Sequence, residues 1–272
     1  MRRLRVGTGT SETELRYTDK VVFRLNGNDI DTDLVMIEEN TDEHPIEEAL
    51  FDHKVDLLVE RAKDMPFLGD GDEITVAAVL RRAEVRAAYI GIKGKEMSEA
   101  KKVFVPDRRR FQQFKLENPM VDTDIMPYDA EEMLHAIRRG ECEGAVVDGA
   151  DALIFDMDSL SDISLTLLPL ESYLPEAGSG ITAIITFKGG MVEEIVEKMN
   201  SSYTYIELEA EKAFLENVDP DIIDLVSVNA AIENSDICIR ASVVRAGKRL
   251  FFEEKAPLRE AEQLAKELAS RL

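Results

Sequence analysis

The sequence has no tryptophan, two cysteines and three histidines, and cations are its scarce charge: 33 Lys and Arg stand against 55 Asp and Glu, a formal net charge of −22. Scarcity of cations argues against nucleic acid, because a phosphate backbone is bound by clustered Lys and Arg that release counterions. It argues equally against an anionic membrane surface, which selects basic clusters. Any anionic ligand needs a local basic pocket that overcomes the global field. His44, His53 and His135 have no metal-ligand spacing, and Cys142 and Cys238 lie in no CxxC or Cys/His cluster. No metal site is therefore expected. Two isolated cysteines read as buried, reduced thiols of a cytoplasmic protein. No apolar run reaches the roughly 18 residues of a membrane span. The start MRRLRVGTGTSETEL lacks the apolar stretch of about 7–15 residues that follows the basic residues of a signal peptide. What is present, 44% hydrophobic residues in a chain of 272, is enough to fill real cores, and the length suggests roughly two domains.

Short apolar runs alternate with amphipathic stretches. Strands are expected over 4–6, 34–37, 56–59, 74–80, 87–92, 102–105, near 121, and over 144–147, 163–168 and 181–187. Helices are expected through Leu15, Val21 and Leu25, over 46–52, from Arg108, over 130–137 with Asp129 as N-cap, and over 192–199. This alternation predicts an α/β architecture. The tail differs: a helix through Ala210 and Phe214, strands near 225–230, 237–244 and 250–254, and a helix over 258–272 make a small α+β appendage.

The opening Gly7-Thr8-Gly9-Thr10-Ser11 fits a plain strand-to-helix turn or one whose amides contact an anion; it lacks the endings of a P-loop or a dinucleotide fingerprint. Leu153-Ile154-Phe155-Asp156-Met157-Asp158 has the order of an aspartyl-nucleophile strand, but Ser159-Leu160 follows it and no later acidic pair completes a magnesium site. It reads instead as an amphipathic helix or loop with acidic caps. Arg108-Arg109-Arg110 opens a helix, where cations oppose the dipole unless an acid or a bound carboxylate offsets them. Lys63-Asp64 follows a strand directly, and α/β sheets place ligand-facing groups at such carboxyl ends.

Together these pieces resemble the hydroxymethylbilane synthase family, also called porphobilinogen deaminase. LRVGTGTSETEL is similar to the family's LRIGTRxSxLAL, and LLVERAKDMP to LAVHSxKDxP. VAAVLRRAEVRAAYI resembles AAVLxREDPRDAxV, and VFVPDRRRFQQF resembles VGTSSLRRQAQL. GECEGAVVDGADAL corresponds to GEYDAIxLAxAGL, LPEAGSGITAI to LPAxGQGALAI, and EAEKAFLENVDPDIIDLVSVNA to ERAFLxxLxGGCxxPxxxxA. The order is kept along the whole chain.

The resemblance implies two hinged periplasmic-binding-protein-like α/β domains around a cleft plus a small C-terminal α+β domain. The expected boundaries are 1–80 with 178–198, then 81–177, then 199–272. It implies condensation of four porphobilinogen molecules with release of ammonia, primed by a dipyrromethane held covalently on a cysteine. It puts the catalytic aspartate at Asp64 beside Lys63, and the substrate-binding positions at Ser11, Arg82, Arg86, Arg109 and Arg110. The departures are as specific. The cofactor cysteine falls on Ile222, preceded by Asp219-Pro220-Asp221. The first-turn arginine is Gly9, the two serines before the arginine pair are Pro106-Asp107, and Pro127 and Met133 stand where carboxylate-binding arginines belong. Glu60-Arg61 replace His-Ser, and the family's lid is missing between residues 40 and 46. Isoleucine forms no thioether, so no covalent cofactor is expected. The expectation is a tetrapyrrole-biosynthesis homologue that binds porphobilinogen or another pathway ligand and acts in a binding or regulatory role without the primed polymerisation. The alternative is an active synthase.

Overall fold

The computed structural model describes residues 3–38, 45–65 and 72–272. His44, Pro66, the turn at Asp70-Gly71 and most of the missing-lid region lie outside the described residues. Strands β1 (Leu4–Thr8), β2 (Thr32–Met36), β3 (Leu57–Arg61) and β4 (Ile74–Val79) alternate with helices α1 (Glu12–Gly27) and α2 (Pro45–Phe51). Next come β5 (Ala87–Ile92), β6 (Lys102–Val105), α3 (Arg108–Glu117), β7 (Asp122–Ile125), α4 (Ala130–Arg138), β8 (Gly144–Asp148), α5 (Gly149–Ile154) and β9 (Ile163–Leu167). The chain continues through β10 (Thr182–Phe187), α6 (Met191–Val196), α7 (Ser202–Leu215), β11 (Val226–Glu233), β12 (Asp236–Arg245), β13 (Lys248–Pro257) and α8 (Ala261–Ala269).

Two compact units result. One is Met1–Arg82 with Ile181–Tyr205, and the other is Ala83–Gly180 with Ile206–Leu272. Each holds a five-stranded sheet, and the two sheets share one topology. The first has the order β2-β1-β3-β10-β4 and the second β7-β6-β8-β5-β9. In the first, β1 runs parallel to β2 and β3, while β10 is antiparallel to β3 and β4. In the second, β6 runs parallel to β7 and β8, while β5 is antiparallel to β8 and β9. The strand entered from the other unit thus takes the fourth, antiparallel place each time. Both are mixed α/β sheets.

Local sequence explains the elements. The continuous apolar run of β10 is buried throughout except Phe187, as a strand covered on both faces requires. The edge strand β7 carries Asp122 and Asp124 facing solvent, charges that discourage pairing with another chain. Asp129 caps α4 by accepting from Glu132 N at 2.9 Å, and Met133, Leu134, Ala136 and Ile137 of that helix fill the second sheet's core. The expected strand over 56–59 runs on to Arg61, and the last helix starts at Ala261 after a short 3-10 turn. Helix α5 has no counterpart among the expected elements, although the segment beginning at Leu153 does end it as a helix followed by a loop, with Asp156 left-handed at φ 50°.

The C-terminal element belongs to the second unit. Its antiparallel sheet β11-β12-β13 packs one face on α7 and α8 through Phe214, Val228, Ile239, Leu264 and Leu268. Its other face meets α3 at β12, so β12 is buried along most of its length, while β13 keeps an alternating exposed pattern. No helix among the described residues is long and apolar enough to cross a membrane.

Candidate functional site

Within each unit, residues singled out by sequence follow strand ends of its sheet, where open α/β sheets place ligand-facing groups. In the first unit, the turn after β1 brings Ser11 to the N-cap of α1, where it accepts from Glu14 N at 3.2 Å. Glu14 answers: its Oε2 accepts from Ser11 N at 3.0 Å and from Ser11 Oγ at 2.6 Å. This reciprocal capping box takes up both donors of Ser11 and the Glu14 amide. A β-carbon on Gly9 would lie 2.0 Å from Glu14 Oε1, so the glycine makes room for that carboxylate.

Beyond β3, Asp64 is exposed at the sheet edge. Arg61 Nε lies 2.5 Å from Asp64 Oδ2, and Lys63 Nζ lies 3.2 Å from Oδ1. The carboxylate therefore sits between two cations and stays open to solvent. Arg82 follows β4, and its main-chain N–H donates to Thr204 Oγ1 at 3.1 Å.

In the second unit, Arg86 precedes β5 and clamps Glu84 with two bonds, at 2.9 and 2.8 Å. These bonds hold the Glu84 carboxyl below its usual range. The helix after β6 carries the arginine pair. Asp107 caps it, its Oδ1 accepting from Arg110 N at 2.7 Å and its Oδ2 from Arg109 Nη2 at 3.1 Å. Arg109 Nη2 also lies 3.4 Å from Glu176. Arg110, 1% exposed, donates to Tyr173 O at 2.9 Å, Leu174 O at 3.3 Å and Gln113 Oε1 at 3.0 Å. Its Nη2 lies 3.6 Å from Asp148 Oδ1 and makes no hydrogen bond. Burial opposes the charge on both guanidiniums. Around Arg109, the carboxylates of Glu176, Asp107 and Asp148 outweigh burial and raise its pKa. Arg110 goes the other way, because burial and the Arg109 charge together outweigh its acids.

Arg109 and Arg110 are thus brought together with three carboxylates and held inside the protein. Gln113 extends the network, donating to Leu174 O at 2.8 Å and to Ser227 Oγ of β11 at 3.0 Å. Met133, at an expected arginine position, is fully buried in α4, while Pro127 is exposed and Asp124 pairs with Lys102 at 2.8 Å.

Ile222 lies on the 3-10 segment Pro220–Leu225, 8% exposed within the core built by Phe214, Val218 and Val228. Cys238 neighbours Ile237 and Ile239 of that core along β12 but points to the opposite face, as strand alternation demands, and Cys142 belongs to the second sheet's core. Both thiols are buried. Burial pushes Cys142 up to about 11 and raises Cys238. Native protein at pH 8 is expected to react with a disulfide reagent far more slowly than the denatured chain, which should expose two equivalents. Burial also lifts Tyr89 and Tyr173 to about 12. Folded-state values above unfolded ones mean that the folded chain holds these protons more tightly, so this stability is complete below pH 9 and is lost as pH rises towards 12. A melting temperature that stays level between pH 9 and 12 would contradict this.

Sequence reasoning passed over Glu14, Gln113, Asp148, Glu176 and Glu211. Only the first two had a local signal, a Ser-x-x-Glu spacing and an i,i+3 partner for Arg110. Among the described residues no group of three or more His, Cys, Asp or Glu side chains is arranged to hold a metal.

The family model described as "Porphobilinogen deaminase, dipyromethane cofactor binding domain" matches residues 4–191. A probable porphobilinogen deaminase of Methanocella arvoryzae is 22% identical, over 99% of this chain and 94% of that protein. A porphobilinogen deaminase of Clostridium botulinum (strain Loch Maree) is 26% identical over 70% of this chain, which spans 65% of that relative's length. Among solved structures, an ABC transporter from Parabacteroides distasonis aligns with a TM-score of 0.45 and 11% identity, covering 78% of this chain and 74% of that one.

Proposed function

The chain belongs to the porphobilinogen deaminase family, and from that premise we propose that it is a tetrapyrrole-biosynthesis homologue that does not carry out dipyrromethane-primed polymerisation and acts in a binding or regulatory role. The observation that carries this reading is Ile222. A thioether needs a thiolate exposed to its partner, and this position offers a hydrocarbon side chain turned into the core of the C-terminal element. Neither cysteine substitutes for it, since both are buried elsewhere. The residues present do not fit a covalently held dipyrromethane, so no step runs through one. The arginine pair adds support, because guanidiniums engaged by main-chain carbonyls and by the chain's own acids have little left for a substrate's carboxylates. Exposed Asp64 between two cations favours retained catalysis.

The test is intact-mass measurement of the purified protein, staining with an aldehyde reagent that colours dipyrromethanes, and incubation with porphobilinogen. The expected result is an unmodified mass, no colour and no formation of a uroporphyrin precursor; an adduct or turnover sinks the reading. Introducing the missing thiol alone, Ile222→Cys, is expected to leave the protein inactive.

A further inference from the structure

We infer that the second unit's anion seat is filled by the chain itself, with Asp148 and Glu176, seconded by the N-cap Asp107, acting as specificity residues that exclude a carboxylate-bearing ligand. This deepens the reading above and rests on it, since it states what the retained scaffold no longer accepts.

Two buried guanidiniums side by side cannot stand in a nearly dry site without compensation. Here compensation is internal. Asp107 shares its oxygens between Arg110 N and Arg109 Nη2, Glu176 lies 3.4 Å from Arg109, and Asp148 lies 3.6 Å from Arg110. Two cations with three carboxylates leave the cluster one unit negative, so an incoming carboxylate meets net repulsion, weakened by solvent at Asp107 and Glu176, each about a third exposed. The fit is imperfect at one point. Arg110 Nη2 is buried, lacks a hydrogen bond, and sits farther from Asp148 than the 2.7–2.9 Å or so of a charge-assisted bond. That donor is the unused capacity of an anion seat.

The first unit repeats the arrangement at the topologically equivalent place. The turn after β1 opens α1 as the turn after β6 opens α3, and there Glu14 takes both donors of Ser11. A single capping box is ordinary helix chemistry. Internal carboxylates at both equivalent turns, one of them beside a buried arginine pair, make a shared electrostatic state: each seat is closed before a ligand arrives.

Neutralising Asp148 and Glu176 while keeping their shape leaves the second cluster one unit positive. The test compares wild-type protein with the variant Asp148→Asn, Glu176→Gln, titrated with inorganic phosphate and with succinate by calorimetry, and melted in phosphate against chloride of equal ionic strength. The variant is expected to bind at least about tenfold more tightly than wild type and to be stabilised by phosphate beyond the chloride control. Adding Arg109→Gln is expected to abolish that gain. Equal binding by wild type, or a folded variant without gain, overturns the inference. If circular dichroism shows the double variant unfolded, Glu176→Gln alone decides: it brings the cluster to neutrality, so phosphate binding must still tighten relative to wild type, and no gain overturns the inference. Porphobilinogen turnover by wild type would sink the functional reading instead, and failure of the variant to gain anion binding would leave that reading standing.

Discussion

Replacing Arg110 by alanine is expected to destabilise the second unit by about 3–5 kcal/mol, the usual cost of removing one partner from a buried ion pair. Arg110 donates to two main-chain carbonyls and to Gln113 and faces Asp148. Its removal takes one cation away from Asp148 and the Arg110 donor away from the Tyr173 carbonyl, while Leu174 O keeps Gln113 Nε2. Lysine should recover only part of the loss, because an ammonium lacks the planar fork that serves several acceptors at once. Arg108→Ala is the internal control. Its partner Asp224 and its own side chain are both exposed, and such pairs are worth about 0–1 kcal/mol. With no tryptophan in the chain, urea unfolding is followed by far-ultraviolet circular dichroism or tyrosine emission. An Arg110→Ala variant within about 1 kcal/mol of wild type would mean the clamp is not structural.

The sequence was legible where its signals were local. The run ITAIITF announced β10, the Asp129 cap announced α4, and the three closing strands were legible near 225–230, 237–244 and 250–254. The shared topology of the two sheets was not legible. It depends on which strand enters fourth, and pairings such as β3 with β10 join residues more than a hundred apart. At the candidate site, residue types were readable and their engagement was not. Arg109 and Arg110 read equally as a solvated charge run paired with local acids or as a carboxylate site; the structure pairs them with Asp107, Glu176 and Asp148 but buries them against Leu174. Asp148 and Glu176 carry no sequence mark as partners of those arginines, because the fold alone brings them within 4 Å.

Glu211 provides the second large effect. It is fully buried on α7, and its two oxygens serve different amides: Oε2 accepts from Gly178 N at 2.7 Å, and Oε1 from Ala230 N on β11 at 2.7 Å. Alanine would orphan both donors, at about 1–3 kcal/mol each. Glutamine keeps one acceptor but turns an NH2 group towards the other donor, so its cost should be about half. Hydrogen exchange at Gly178 and Ala230 should accelerate in both variants. The consequence reaches the arginine pair. Gly178 is left-handed at φ 76° and lies a few residues after Leu174 and Glu176, which contact Arg109 and Arg110. The segment from 173 to 178 is thus pinned at one end by guanidiniums and at the other by a carboxylate. Loosening either end weakens the other, so Arg110→Ala and Glu211→Ala combined should destabilise by less than the sum of the single changes, with a coupling of at least about 0.5 kcal/mol. Strict additivity would show two independent anchors, and the 173–178 segment would then not be what carries strain between α7 and the arginine pair.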